Sequence, residues 1–220
     1  MGGRPPPAGP RRNPKRGVAR GAAQIRQRIS TEAARIMAEE GVQNFHAAKR
    51  KAAGRLGLPE TKHLPSNQEI EQALSEHLRL FHAQDLPATL RALRDLALEA
   101  MRFFEVFDPR LVGPVLSGNV TPYTEIQLHV TADNPEDIGF LLQEHRIPYD
   151  EADRRLRFGG DRHATLPAYR FLADTTPVEL TVFSREAVRE LPLSPVDGRP
   201  MRRASRKELE GIITVQAVVP

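Results

Sequence analysis

The chain has 220 residues, enough for one or two domains, with 40% hydrophobic residues, 19 prolines and no cysteine. Without cysteine there is no disulfide framework, no thiolate nucleophile and no cysteine-ligated zinc or iron–sulfur site, which suits a reducing cytoplasm. No apolar run approaches the roughly 20 residues of a membrane span, and the basic N-terminus lacks the apolar segment of a secretory signal, so a cytoplasmic protein with no membrane partner is expected.

The net charge of +4 is unevenly spread. Arg4, Arg11, Arg12, Lys15, Arg16 and Arg20 lie in residues 1–21 with no acid among them, which leaves residues 22–220 slightly acidic. Residues 1–21 are Pro, Gly and Arg with almost nothing to bury, and are expected to be a disordered basic tail: a solvated extension, or an arm that makes salt-sensitive contacts with nucleic-acid phosphates.

From Ala22 the apolar period becomes helical, with Ile25, Ile29, Ala33, Ile36 and Met37 on one stripe and Gly41 as a stop. A second helix fits residues 44–56. Its Phe45, Ala48, Ala52 and Leu56 share one face, while Lys49, Arg50, Lys51 and Arg55 form a cationic face that meets solvent or a polyanion. Ser66 and Glu69 have capping-box spacing ahead of a third helix with Ile70, Ala73, Leu74, Leu78 and Phe81 inward. Pro87 opens a fourth, whose apolar face of Leu90, Leu93, Ala97, Met101 and Phe104 is wide enough to need more than one neighbour. Residues 22–107 thus read as a helical region of about four helices.

Beyond Asp108-Pro109 strands and helices alternate. Residues 124–130 alternate as a strand, with Ile126, Leu128 and Val130 on one face and Glu125, Gln127 and His129 on the other. A helix follows over 134–145, then a strand over 154–158, strands at 169–173 and 178–183 around an Asp174–Pro177 turn, a basic loop, and a helix capped by Ser205. The fold class is α+β: an N-terminal helical region followed, over 108–220, by a mixed sheet flanked by helices.

The stretch LVGPVLSGNVTPYTEIQLHV, residues 111–130, resembles the signature of the nucleotidyltransferase fold shared by polymerase-beta-like enzymes. That pattern is an apolar residue, Gly-Ser, a second Gly, then a strand carrying acidic-apolar-acidic, with a third carboxylate on a later strand. Leu111-Val112-Gly113 fits its start, Gly118 the second Gly, Thr121–Thr124 the approach, Glu125-Ile126-Gln127 the acidic pair, and Glu179 the third carboxylate. The resemblance implies a nucleotidyltransferase-like mixed sheet, with Glu125, Gln127 and Glu179 as catalytic residues. Mg²⁺ would be held by Glu125 and Glu179 if the site is active. The turn with Gly113, Gly118 and Thr124 would hold nucleotide phosphate. Carboxylates at i and i+2 of a strand share a face, and two metal ions held there bridge the attacking and leaving oxygens of an in-line phosphoryl transfer.

Three departures predict weak, altered or lost nucleotidyl transfer. Pro114 stands where the pattern has Ser and removes a hydroxyl and an N–H; Glu125 stands for Asp; Gln127 supplies an amide where a second anion is needed. His129 shares their face and is either a further ligand or an ordinary hydrogen-bonded His. The loop with Arg199, Arg202, Arg203, Arg206 and Lys207 either folds over this face, with Arg202 and Arg203 on phosphate, or pairs with surface acids. The alternative to a divergent transferase-like protein is a non-enzymatic nucleic-acid- or protein-binding regulatory module that uses residues 1–21 and Lys49–Arg55.

Overall fold

The computed structural model describes residues 14–59 and 61–218. The chain is α+β: a helical region precedes a five-stranded mixed sheet flanked by helices. Helix α1 (Pro14–Glu40) starts inside the stretch expected to be a disordered tail; the remainder of that stretch, residues 1–13, lies outside the described residues. Gly41, with φ of +69°, ends α1 in the left-handed conformation that favours glycine. Helix α2 (Phe45–Arg55) begins at Asn44, whose side chain accepts from Ala47 N. Helix α3 (Asn67–Phe81) carries the Ser66–Glu69 capping box read from the sequence. Ile29, Ala33 and Ile36 of α1, Ala48 and Ala52 of α2, and Ile70, Leu74 and Leu78 of α3 close a core of their own.

Helix α4 (Leu86–Phe103) belongs elsewhere. Its Leu90, Ala97 and Met101, with Phe104 just past its end, join the core beneath the sheet, so the helical stretch 22–107 is shared between two cores. The sheet follows: β1 (Arg110–Val112), the short α5 (Gly113–Ser117), β2 (Ile126–Thr131), α6 (Glu136–Glu144), β3 (Tyr149–Arg157), β4 (His163–Ala173), β5 (Thr176–Phe183) and α7 (Arg206–Val218). Strand order is β1-β2-β5-β4-β3. The β2–β5 pair is parallel and the others are antiparallel. Leu111, Leu128, Leu180 and Tyr169 lie in one row across the sheet and face α4, α6 and α7. Strand β4 starts six residues earlier than its apolar pattern suggested. Pro167 is tolerated because β5 pairs with β4 only from Ala168 onward, so no bond to β5 is lost there.

The helical unit α1–α3 meets the sheet unit through polar contacts at the turn between α5 and β2. Gln43 Nε2 donates to Tyr123 O at 2.6 Å, Tyr123 OH donates to Glu39 O at 3.1 Å, and Asn119 Nδ2 donates to Glu71 Oε1 at 2.6 Å. Asn67 Nδ2 adds a bond to Pro195 O at 2.6 Å. Among the described residues, no helix is long and apolar enough to cross a membrane.

Candidate functional site

The face of the sheet opposite the main core carries the polar residues. Residue alternation and register place Gln127 of β2 beside Glu179 of β5, which in turn lies beside Arg170 of β4. His129 lies beside Thr181 one row further on. Glu179, Thr181 and His129 are buried, at 3%, 3% and 4% exposure; the chain after β5 folds back over His129, whereas Glu179 lies beneath Arg170 and Arg154. Arg203 in that returning loop lies 4.6 Å above the Phe183 ring, donates from Nε to His129 Nδ1 at 3.0 Å, and donates from Nη1 to Val188 O at 2.8 Å. Burial, then Arg203 and Arg154, hold the His129 imidazole neutral and push its pKa down to about 3.

Glu179 is committed to arginine. Arg170 donates to its Oε2 through Nε at 2.8 Å and Nη2 at 2.6 Å, and Arg154 of β3 brings Nε to 3.3 Å from Oε1. Glu125, half-buried at the start of β2, acts on the same cation: Glu179 first, then Glu125 and Asp150, raise the Arg170 pKa. Sequence reasoning did not single out Arg154 or Arg170. The Asp174-Thr175 turn contained the signal, since counting back from it across the hairpin sets Arg170 opposite Glu179.

Gly113 opens α5 with φ of +71°, and a Cβ there would press into Gln127 Oε1, with the amide carbon 3.2 Å away. The Gln127 amide therefore packs on the glycine that the resemblance assigned to phosphate. Gly118 caps α5 with φ of +94°. Thr124 is buried at 7% exposure, and its Oγ1 accepts from Thr121 N at 2.8 Å, so this hydroxyl stabilises the turn from within. Arg202 is exposed beside Arg94 and Glu208, whereas Arg203 is bound to His129 and Phe183; of the two arginines of the basic loop assigned to phosphate, only Arg203 reaches this face.

These donors do not suit Mg²⁺. Glu179 is the one buried carboxylate among the described residues, and both its oxygens are taken by guanidinium groups. Gln127 brings no charge, and Mg²⁺ favours carboxylate oxygen and octahedral geometry. Among the described residues, no group of three His, Asp or Glu is arranged to hold a metal ion.

Two of the four cations on this face of α2, Lys51 and Arg55, are paired with acids. Arg55 bonds Glu40 and Glu32, Lys51 lies 2.6 Å from Glu40, and burial lowers the Lys49 pKa, partly countered by Glu69. Arg50 stays exposed. Internally paired cations release few counterions on meeting a polyanion, which weakens the nucleic-acid reading for this face. No protein-family model, no curated protein and no solved structure matches this chain.

Proposed function

We propose that the chain is a nucleotidyltransferase-like cytoplasmic protein that has lost Mg²⁺-dependent nucleotidyl transfer and acts by binding. The resemblance is supported by the order of parts over β1, α5 and β2: a short strand, a positive-φ glycine, then an antiparallel strand whose Gln127 shares a face with Glu179 of the neighbouring parallel strand. The observation that carries the loss of catalysis is the occupation of both Glu179 oxygens by Arg154 and Arg170. With Arg170 hydrogen-bonded twice to Oε2 and the Arg154 guanidinium 3.3 Å from Oε1, a metal at Glu179 would meet two fixed positive charges and would have to displace at least one of them. Gln127 for an acid and Pro114 for a hydroxyl donor point the same way. Cytoplasmic residence rests on the cysteine-free composition.

The test is transfer of label from each α-labelled nucleoside triphosphate to RNA, to the protein itself and to water, with Mg²⁺ and with Mn²⁺. No transfer is expected. Metal-dependent transfer that disappears in Glu125→Ala sinks the proposal.

A further inference from the structure

We infer that Arg154 and Arg170 form a metal-independent clamp for the phosphate groups of a nucleoside diphosphate or triphosphate, with Glu179 as the buried carboxylate that orients them. The inference deepens the reading above by naming the ligand chemistry of the same face, and it rests on that reading for the nucleotide part alone.

On the polar face, Arg170 lies in the row of Glu179, and Arg154 lies two rows away, opposite Leu166. The row between them runs Ala152, Ala168, Thr181 and His129, and its members on β3, β4 and β5 are short. Two long side chains therefore converge over a low floor onto one carboxylate. Glu179 is 3% exposed while the Arg154 and Arg170 side chains are 39% and 48% exposed, so the acid is the base of the arrangement and the guanidiniums its open rim.

Donor accounting points outward. Glu179 Oε2 accepts from Nε and Nη2 of Arg170, while Arg154 is held to Oε1 by an ion pair, Nε at 3.3 Å. Among the described residues, both terminal nitrogens of Arg154 and Nη1 of Arg170 are spent on no protein acceptor. A guanidinium presents five N–H donors in a planar fork that matches phosphate oxygens in pairs. The Arg170 fork, fixed from behind by two hydrogen bonds, and the Arg154 fork, drawn beside it by its ion pair with the same carboxylate, lose less side-chain entropy on binding than two free arginines would.

Charge decides which side of the clamp the anion takes. Glu125 and Asp150 act on Arg170 from its own row and from the start of β2. On the Arg154 side stand His129, neutral, and Arg203, whose Nη2 is enclosed without a hydrogen-bond partner. The anion therefore fits between Arg154 and Arg170 on the side toward His129.

The experiment is calorimetric titration of the full chain in EDTA with pyrophosphate, ADP and adenosine, repeated in Mg²⁺. Pyrophosphate and ADP are expected to bind in EDTA, adenosine not, with no strengthening by Mg²⁺. ADP binding more tightly than pyrophosphate identifies a nucleotide as the ligand; equal binding assigns the site to phosphate alone and removes the nucleotide from the inference. Arg154→Gln is expected to weaken binding at least tenfold while leaving the Arg170–Glu179 pair intact, and Arg199→Gln to leave it unchanged. A circular dichroism spectrum and melting curve for each variant separate lost binding from lost folding. No binding of either anion in EDTA overturns the clamp and leaves the absence of transfer standing. Binding that appears only with Mg²⁺ and vanishes in Glu125→Ala overturns the clamp and the loss of the metal site together. Binding retained in a folded Arg154→Gln also overturns it.

Discussion

Gln127 and Gly113 occupy each other's space: the amide of Gln127 lies where a side chain on Gly113 would begin, its carbon 3.2 Å from the Cβ position. Gly113 has φ of +71°, which costs an L-residue about 1–2 kcal/mol before any collision. Gly113→Ala is therefore expected to lower stability by about 2–3 kcal/mol, the strain plus displacement of the amide, or very roughly 5–10 °C in Tm for a chain of this size. Adding Gln127→Ala should recover the collision but not the strain. Melting curves of the single and double variants check this; equal losses in both would show that the amide is not in contact.

The pair also shows how far the sequence could be read. The apolar periods gave the helices because buried stripes repeat at 3.6 residues whatever they pack against, and the Ser66–Glu69 box appears in the structure as spaced. The alternation of Glu125 to Val130 gave the two faces of β2. Periodicity carries no information on partners, however. It placed α4 with the other helices, whereas its wide apolar face belongs under the sheet. It treated Glu179 as an acid between two apolar neighbours, while its partners, Arg154 and Arg170, come from two other strands and meet it only through register. The beginning of β4 was hidden by Pro167, a strand breaker except where a partner strand has ended. Arg203 was recognised as part of a basic loop; that it turns inward to His129 depends on the Phe183 ring beneath it.

His129 makes stability depend on pH with a definite sign. Its pKa falls from 6.5 to about 3 on folding, through burial first and then Arg203 and Arg154. The unfolded chain therefore binds the extra proton below pH 6.5, and stability present above that pH is lost as pH falls toward the folded value. Between pH 7.5 and 5.5 this one group should cost about 1.4 kcal/mol. His77 shifts in the same direction by burial, so the comparison must be with a variant. His129→Asn keeps an acceptor for Arg203 and is expected to show a smaller fall between the two pH values in urea unfolding. An unchanged slope would mean that His129 is protonated within the fold.

Arg94 supports the turn from below. It is 5% exposed on α4 and donates from Nε to Val115 O at 3.1 Å and from Nη2 to Leu116 O at 3.3 Å, two carbonyls of α5. A cation near exposed helix carbonyls is favourable, and a buried carbonyl without a donor costs about 1–3 kcal/mol. Arg94→Met is expected to destabilise by about that amount. Arg94→Lys should not rescue it, because a single ammonium is more strongly hydrated and lacks the fork that spans two carbonyls. Chemical denaturation of both variants measures this; full stability in Arg94→Lys would show that charge alone suffices.

Two cores in one chain predict two units of unfolding. The α1–α3 core and the sheet core contain separate sets of buried residues, and the partly buried Leu86 packs against both. Besides the Tyr123 ring packed on Gly41, the remaining links described between them are polar: Gln43 and Glu39 to Tyr123, Asn119 to Glu71, and Asn67 to Pro195. Hydrogen bonds at a partly exposed surface contribute only about 0.5–1.5 kcal/mol each, so the units should open independently before either melts. Amide exchange is expected to give α1–α3 and the sheet two distinct protection levels. Tyr123→Ala removes the ring packed on Gly41 and the bond to Glu39, and should speed proteolytic cleavage near His82–Asp85 without changing protection in β2 or β5. Uniform protection across the whole chain, lowered uniformly by Tyr123→Ala, would instead describe a single cooperative fold in which the turn before β2 is as deeply held as the sheet itself.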